Sequence, residues 1–332
     1  MTDGAFKALV VDETDGTVRA GIDDVSPESL PEGDVLVSVE YSTVNYKDGL
    51  AVTGKGKVVR RYPMVPGVDF AGTVEKPASP RWKAGDRVIL TGWGVGETHW
   101  GGLAQRARVD GEWLVALPDG MSTREAMAIG TAGFTAMLAI MELERHGMSP
   151  GGPEVVVTGA AGGLGSVAVA LLARSGYRVV ASTGRQDAHE YLRGLGAAEI
   201  IDRDVLPGLA ERPLQSARWA AAVDAVGGAT LAGLLTSMRE GGSIAVCGNA
   251  GGAGFSSTVF PFILRGVTMI GIESVRVPRS QRGEAWNRLG RELPAELLNG
   301  MTQVVPLEAV PHLAEEILAG KVRGRVVVDV NA

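Results

Sequence analysis

The stretch VVVTGAAGGLGSVAVALLA, residues 155–173, decides the fold. It opens on a β-branched run, passes through Gly159, Gly162 and Gly165, and closes on an Ala/Leu run. Its length without a charge resembles that of a membrane span. The composition reads instead as strand, turn and helix: β-branched residues suit a strand, clustered glycines a tight turn, and Ala and Leu a helix. A glycine turn between strand and helix lets backbone approach a pyrophosphate with no Cβ in the way. The helix start then offers free N–H groups and a positive dipole end. A glycine turn of packing value alone is the bland alternative. The second strand about twenty residues on favours dinucleotide binding.

Working outward, strands are expected at EVVVT (154–158), YRVVAS (177–182), AAAVDA (220–225) and SIAVC (243–247). Helices alternate with them: one to about Arg174, then others near 187–194 and 229–239. That alternation is an α/β pattern, a doubly wound parallel sheet. Upstream, KALVV (7–11), DVLVSVEY (34–41), DFAGTVE (69–75) and DRVIL (86–90) are short β-type runs separated by turn signals, as in a partly open β-rich domain. Ser122 followed by Glu125 has capping-box spacing and opens a helix to about Arg145. After residue 275 come a helix, a strand QVVPL (303–307), a helix over 308–319 and the strand RVVVDV (325–330). So valine-rich a terminal strand is expected to pair into the β-rich domain. The division read from sequence is 1–122 with 300–332 for that domain, and 123–299 for the nucleotide-binding one.

The chain has 332 residues, 45% hydrophobic and 21% charged, enough for two proper cores and unlike a disordered chain. A net charge of −6 provides no basic field for nucleic acid or an anionic membrane. The single cysteine, Cys247, allows no intrachain disulfide and fits a reducing compartment. The N-terminal MTDGAFKALVVDE (1–13) has two early acids and no long apolar run, unlike a signal peptide. A soluble cytoplasmic protein with no nucleic-acid or membrane partner is expected.

The end of the second strand selects the cofactor. NAD-binding chains place an acid there for the ribose 2′-hydroxyl, whereas this one reads Ser182-Thr183-Gly184-Arg185. Hydroxyls and a guanidinium suit a 2′-phosphate, with Arg203 helping from the side, so NADPH is expected. A solvated helix-start residue is the other reading of Arg185. No metal is expected. One cysteine cannot make a four-cysteine site, and His99, His146, His189 and His312 are scattered. Asp69, in PMVPGVDFAGTV (63–74), has no partner ligands in the sequence and reads as a carboxylate bracing its turn.

NYKD (45–48), PGVDFAG (66–72), AGDRV (84–88), GGLA (101–104), GTAGFTA (130–136) and the glycine turn resemble the medium-chain dehydrogenase/reductase superfamily, zinc-free branch. YPMVPGVDFAGTV (62–74), LTGWGVGETHWGG (90–102), STGR (182–185), AHEYLRGLGA (188–197) and PFILRGV (261–267) are similar to its acrylyl-CoA reductases. Those enzymes reduce acryloyl-CoA to propionyl-CoA with NADPH. One departure is Gln105, where GGLAE is usual. The resemblance implies a GroES-like catalytic domain beside a Rossmann domain, a cofactor cleft between them, and a homodimer paired through VTMIGIESV (267–275). It also implies NADPH contacts by Tyr46, Gly162, Gly163, Leu164, Gly165, Ser182, Thr183, Arg185, Arg203, Asn249, Ile263, Ser274 and Arg325.

Hydride addition to the β-carbon of an unsaturated thioester leaves negative charge on its oxygen, which placed hydrogen-bond donors can stabilise without a metal. Asn45, Tyr46 and Arg325 are the expected catalytic residues, with Tyr46 donating the proton directly or through water. The alternative is that Asn45 only holds a turn and Tyr46 only packs the nicotinamide. Lys55, Lys57, Arg60 and Arg61 are candidates for the phosphates of coenzyme A, a solvated basic loop being the other meaning. Trp93, with His99 and Trp100, is expected over the acyl group unless it serves packing alone. Two rivals share the cofactor site: a zinc-free reductase of quinones or other enones, and a non-catalytic crystallin-like NADPH binder.

Overall fold

The computed structural model describes residues 4–332, so the first three residues of the N-terminal stretch lie outside it. The strands, in chain order, are β1 (Phe6–Thr14), β2 (Thr17–Val25), β3 (Val35–Thr43), β4 (Asp69–Pro77), β5 (Arg87–Thr91), β6 (Arg106–Val109) and β7 (Val115–Ala116). They continue with β8 (Val155–Val157), β9 (Val179–Ser182), β10 (Glu199–Ile201), β11 (Trp219–Asp224), β12 (Met238–Val246), β13 (Thr268–Gly271), β14 (Thr302–Pro306) and β15 (Arg325–Asp329). Three helices matter for the site: α1 (Tyr46–Thr53), α2 (Thr123–Arg145) and α3 (Gly163–Arg174). The chain forms two compact units. One comprises Met1–Thr131, Val275–Gly290 and Leu298–Ala332, the other Ala132–Ser274 and Arg291–Leu297.

The first unit is built on a sheet in the order β14-β15-β3-β4-β5-β7, with β6 also paired to β3. β15 runs antiparallel to β3 and parallel to β14, so the valine-rich terminal strand does join the β-rich unit. Its Val326, Val327 and Val328 are fully or almost fully buried. A separate hairpin pairs β1 with β2 through Asp15-Gly16, both at positive φ, the geometry a two-residue hairpin loop requires. Sequence reading finds β1 but not β2, whose residues TVRAGIDDV alternate between exposed and half-buried and bury no core face.

The second unit carries a six-stranded, all-parallel sheet in the order β10-β9-β8-β11-β12-β13. Numbered within the unit this is 3-2-1-4-5-6, the doubly wound order whose switch point lies beside the first strand. β8 is buried on both faces, as expected of a strand covered by helices.

α2 is two helices joined at Gly130, whose φ of 51° and ψ of −162° are not helical. The Ser122–Glu125 capping box forms at its start: Glu125 accepts from the Ser122 N–H (2.7 Å), and Ser122 Oγ accepts from the Glu125 N–H (3.1 Å). Among the described residues α2 is the one helix long and apolar enough to cross a membrane, and 83% of that window is buried inside the protein.

Candidate active site

In the first unit, α1 starts where β3 ends. Asn45 is its N-cap and Tyr46 its first residue. The Asn45 N–H donates to Asp48 Oδ2 at 2.8 Å. The Asn45 side-chain amide donates to Asp48 Oδ2 (3.2 Å) and to Asp69 Oδ2 (2.9 Å). Its carbonyl oxygen accepts from Arg325 Nη1 at 3.2 Å. Asp48 Oδ1 in turn accepts the Val68 N–H at 3.0 Å.

Asp69 does not brace its own turn, as the sequence suggested. Its carboxylate accepts the N–H of Thr131 at 2.8 Å and the Thr131 hydroxyl, capping the helix that restarts after Gly130. The physical reason is the break itself: the restarted helix exposes N–H groups without intrahelical partners, and a carboxylate accepts from them and suits the positive end of the dipole. Gly130 is required twice over. Its φ is positive, and a Cβ there would stand 2.7 Å from both Arg325 Nη2 and Asp69 Oδ2.

Arg325 is buried, and each of its nitrogens meets a protein acceptor. Nε donates to Ala128 O (2.8 Å), Nη2 to Thr43 Oγ1 (2.9 Å) and Nη1 to Asn45. Thus Asn45 and Arg325, which the sequence presented as groups facing the substrate, are brought together as parts of one buried network. Tyr46 alone of the three presents its side chain outward, with 43% of it exposed. Burial and the neighbouring Asp69 raise the Asp48 pKa to about 6. Burial also raises Asp69, against the opposing pull of Thr131, Asn45 and Arg325.

The basic run separates into two parts. Lys55 is ion-paired with Glu315, while Lys57, Arg60 and Arg61 are exposed. Glu97 ties the run to α1: its carbonyl accepts the Arg60 N–H (2.9 Å) and its carboxylate pairs with Lys47 (2.9 Å). Trp93 has φ of 59°, rare for a bulky residue. It lies between the Arg282 guanidinium, 5.3 Å from its ring, and the stacked ring of Trp113 at 6.3 Å. Its backbone N–H donates to Val275 O at 3.1 Å.

In the second unit, the glycine turn connects β8 to α3. Gly159 has φ of 58°, and a Cβ on Gly165 would fall 2.3 Å from Gly159 O. The helix therefore sits against the turn as only glycine allows. The first intrahelical bond is Ser166 N–H to Gly162 O (2.9 Å), which leaves Gly163, Leu164 and Gly165 in the turn whose N–H groups a phosphate can take. The turn is braced by buried Asp224, which accepts from Thr158 Oγ1 (2.6 Å) and from the N–H groups of Val226 and Gly227.

At the end of β9, Ser182 and Thr183 are buried. Thr183 Oγ1 accepts the Arg185 N–H at 3.2 Å, and Arg185 pairs with exposed Asp187 (3.3 Å). The Arg203 side chain crosses Gly184 so closely that a Cβ there would lie 2.6 Å from its Nε. Two guanidinium groups and a threonine hydroxyl therefore gather at this strand end, as a 2′-phosphate needs. Of the remaining cofactor candidates, Asn249 and Ile263 are exposed and Ser274 is half-buried. Among the described residues no three His, Cys, Asp or Glu side chains gather as a metal site requires.

Sequence reasoning missed Asp48, Gly130, Thr131, Thr43 and Asp224. Asn45-x-x-Asp48 has the spacing of a capping box, and that signal was open to reading. The others show only in three dimensions.

Comparison with known proteins places these features in a family. Residues 31–119 match the alcohol dehydrogenase GroES-like domain, and residues 163–289 match the zinc-binding dehydrogenase family. The acrylyl-CoA reductase AcuI of Ruegeria pomeroyi is 56% identical over 98% of this chain and 100% of its own. The yhdH oxidoreductase of Salmonella enterica, solved in complex with NADP, is 51% identical, superposes with a TM-score of 0.96, and covers 98% of this chain and 99% of its own. Protein yhfP of Bacillus subtilis, solved with NAD bound, is 44% identical with a TM-score of 0.94, over 98% and 99% of the two chains.

Proposed function

The chain belongs to the acrylyl-CoA reductase family of medium-chain dehydrogenase/reductases, and from that premise we propose that it reduces acryloyl-CoA to propionyl-CoA with NADPH. The observation that carries this reading is full-length likeness to the Ruegeria acrylyl-CoA reductase. Family alone does not choose the nicotinamide, since relatives of similar fold were solved with NADP and with NAD. The end of β9 makes that choice: it offers Ser182, Thr183, Arg185 and Arg203 and no carboxylate at the strand end itself. Gly162, Gly163, Leu164 and Gly165 would take the pyrophosphate, and the bound cofactor supplies the hydride.

The chain's own residues supply the rest. Tyr46, outward-facing at the start of α1, is the donor that meets the developing negative charge on the thioester oxygen and supplies a proton toward the α-carbon. Asn45 and Arg325 hold it there rather than touch the substrate. Lys57, Arg60 and Arg61 meet the phosphates of coenzyme A, and Trp93, immobilised by Arg282 and Trp113, forms a fixed wall for a short acyl group. In this reading the chemistry is zinc-independent and the enzyme is cytoplasmic, engaging neither membrane nor nucleic acid. Substrate handling belongs to 1–122 with 300–332 and the cofactor to 123–299, except that 123–131 and 275–290 cluster with the first unit and so go with the substrate side. The enzyme is a homodimer, supported by exposed Val259, Ile263 and Leu264 beside the free edge of β13.

The test is NADPH oxidation with acryloyl-CoA, crotonyl-CoA and a simple quinone in parallel, with NADH as control and propionyl-CoA identified by mass. Fastest turnover is expected with acryloyl-CoA and NADPH. Turnover of the quinone alone would make the chain a quinone reductase, and NADPH binding without turnover would make it a non-catalytic binder.

A further inference from the structure

Tyr46 has 43% of its surface exposed, so packing does little to fix its ring, and its position depends on the backbone of the first turn of α1. That turn is fastened unusually. Two carboxylates, Asp48 and Asp69, are both essentially buried and both accept from the one amide nitrogen of Asn45. Asp48 also receives the N–H groups of Asn45 and Val68, and so ties the helix start to the segment leading into β4. An exposed Ser or Asp cap would satisfy a helix end without burying two acids. Burying like charges side by side is unfavourable, so the arrangement fits a demand for position rather than for stability.

We propose that Asp48 and Asp69, joined through the side-chain amide of Asn45, are positioning residues that lock the first turn of α1 and thereby set where the Tyr46 hydroxyl meets the substrate. The charged groups acting on the pair are few. Asp48 faces Asp69 from β4, Asp69 faces Arg325 from β15, and α2 contributes the neutral donors of Thr131. With both acids ionised these three side chains sum to −1. Taking up one proton brings the sum to zero, and the hydroxyl formed on Asp48 then competes with Asn45 for an acceptor. Protonation of Asp48 near pH 6 therefore takes an acceptor from the first turn of α1 and loosens the lock locally, even as relief of the buried charge stabilises the fold as a whole.

This inference rests on the proposed role of Tyr46, and its test separates the two. D48N, D69N, Y46F and the double variant D48N/Y46F are compared by kcat and KM for NADPH across the range from about pH 5 to pH 8, and by hydrogen exchange of the peptide covering 45–53 without substrate. D48N is expected to lower kcat roughly tenfold with KM for NADPH changed less than about twofold. It should also abolish the fall in kcat expected of the wild type below about pH 6, and add nothing to the loss in Y46F. Exchange over 45–53 should quicken in D48N and D69N. Multiplicative losses in the double variant, a Y46F enzyme as fast as wild type, or unchanged exchange would each overturn the positioning role. A wild-type protein that turns over no acryloyl-CoA sinks the proposed function instead, and exchange alone then decides whether the lock exists.

Discussion

The side-chain amide of Asn45 donates to Asp69 Oδ2 at 2.9 Å, linking the cap of α1 to a carboxylate 24 residues further on. The same carboxylate receives the Thr131 N–H, 62 residues beyond Asp69. One buried side chain thus fixes the starts of two helices. Charge-assisted hydrogen bonds of this kind contribute about 1.5–3 kcal/mol each, and removing the shared amide takes one donor from each of two buried carboxylates. N45A is therefore expected to lower unfolding stability by about 3 kcal/mol, read as a shift in the urea midpoint at constant m-value. A loss below about 1 kcal/mol would mean that water replaces the amide and that the network is looser than its geometry.

Asp48 makes stability depend on pH with a defined sign. Its carboxyl has a pKa of about 6 in the folded protein against 3.8 for the free group, so the folded state binds the proton more tightly. The associated stability is fully present below about pH 4 and is lost as pH rises through about 6, amounting to about 3 kcal/mol. D48N cannot titrate at this site. The wild type's stability advantage over D48N should accordingly shrink by about 3 kcal/mol between about pH 4 and pH 7 in parallel urea titrations. A pH-independent difference would place the Asp48 pKa at its ordinary value.

G130A tests the break in α2. The φ of 51° with ψ of −162° belongs to a region reserved for glycine, which costs a side-chain-bearing residue about 1–3 kcal/mol. Contacts of 2.7 Å with Arg325 Nη2 and Asp69 Oδ2 add overpacking of similar size. A loss of about 4 kcal/mol is expected. Gly85 is the control, because its φ is also positive, at 91°, with nothing within 4 Å of its Cβ direction. G85A should lose only about 1 kcal/mol, isolating the conformational part.

The parts legible in the sequence are those encoded locally. The strand, glycine turn and helix over 155–173, the alternation after it and the Ser122–Glu125 box are all written within a few neighbouring residues. The terminal strand was legible because three adjacent valines have no use outside a sheet. The buried network was not legible, because its members are far apart: Arg325 reaches Asn45 across 280 positions. Asn45, Tyr46 and Arg325 could be named from a motif, but a motif does not say which of them faces outward. A local reading assigns Asp69 to its own turn for the same reason, its true partner being a helix break that only Gly130 hints at.

The basic run gives a prediction about substrate alone. Lys57 and Arg60 are exposed, and Lys55 is engaged by Glu315. Replacing both Lys57 and Arg60 with alanine should raise KM for acryloyl-CoA by roughly tenfold, the worth of one or two surface charge contacts to phosphate. KM for NADPH should not move. Added salt should weaken acryloyl-CoA binding in the wild type more than in the double variant. Equal salt dependence would show that these side chains are simply solvated.

R185A addresses cofactor choice most directly. Arg185 follows Thr183, whose hydroxyl accepts its N–H, and its side chain is 27% exposed, whereas that of Arg203 is 72% exposed. A guanidinium holding a phosphate through charge-assisted bonds contributes about 1.5–3 kcal/mol, or roughly 10- to 100-fold in affinity. The Asp187 partner of Arg185 is exposed at 71%, so the bond given up when phosphate binds is a weak one. R185A should therefore raise KM for NADPH by roughly 30-fold and leave KM for NADH nearly unchanged, with R203A showing the same pattern at a smaller size. Parallel KM values for both nucleotides decide it. Equal losses for NADPH and NADH would mean that Arg185 shapes the turn after β9 rather than reading the 2′-phosphate.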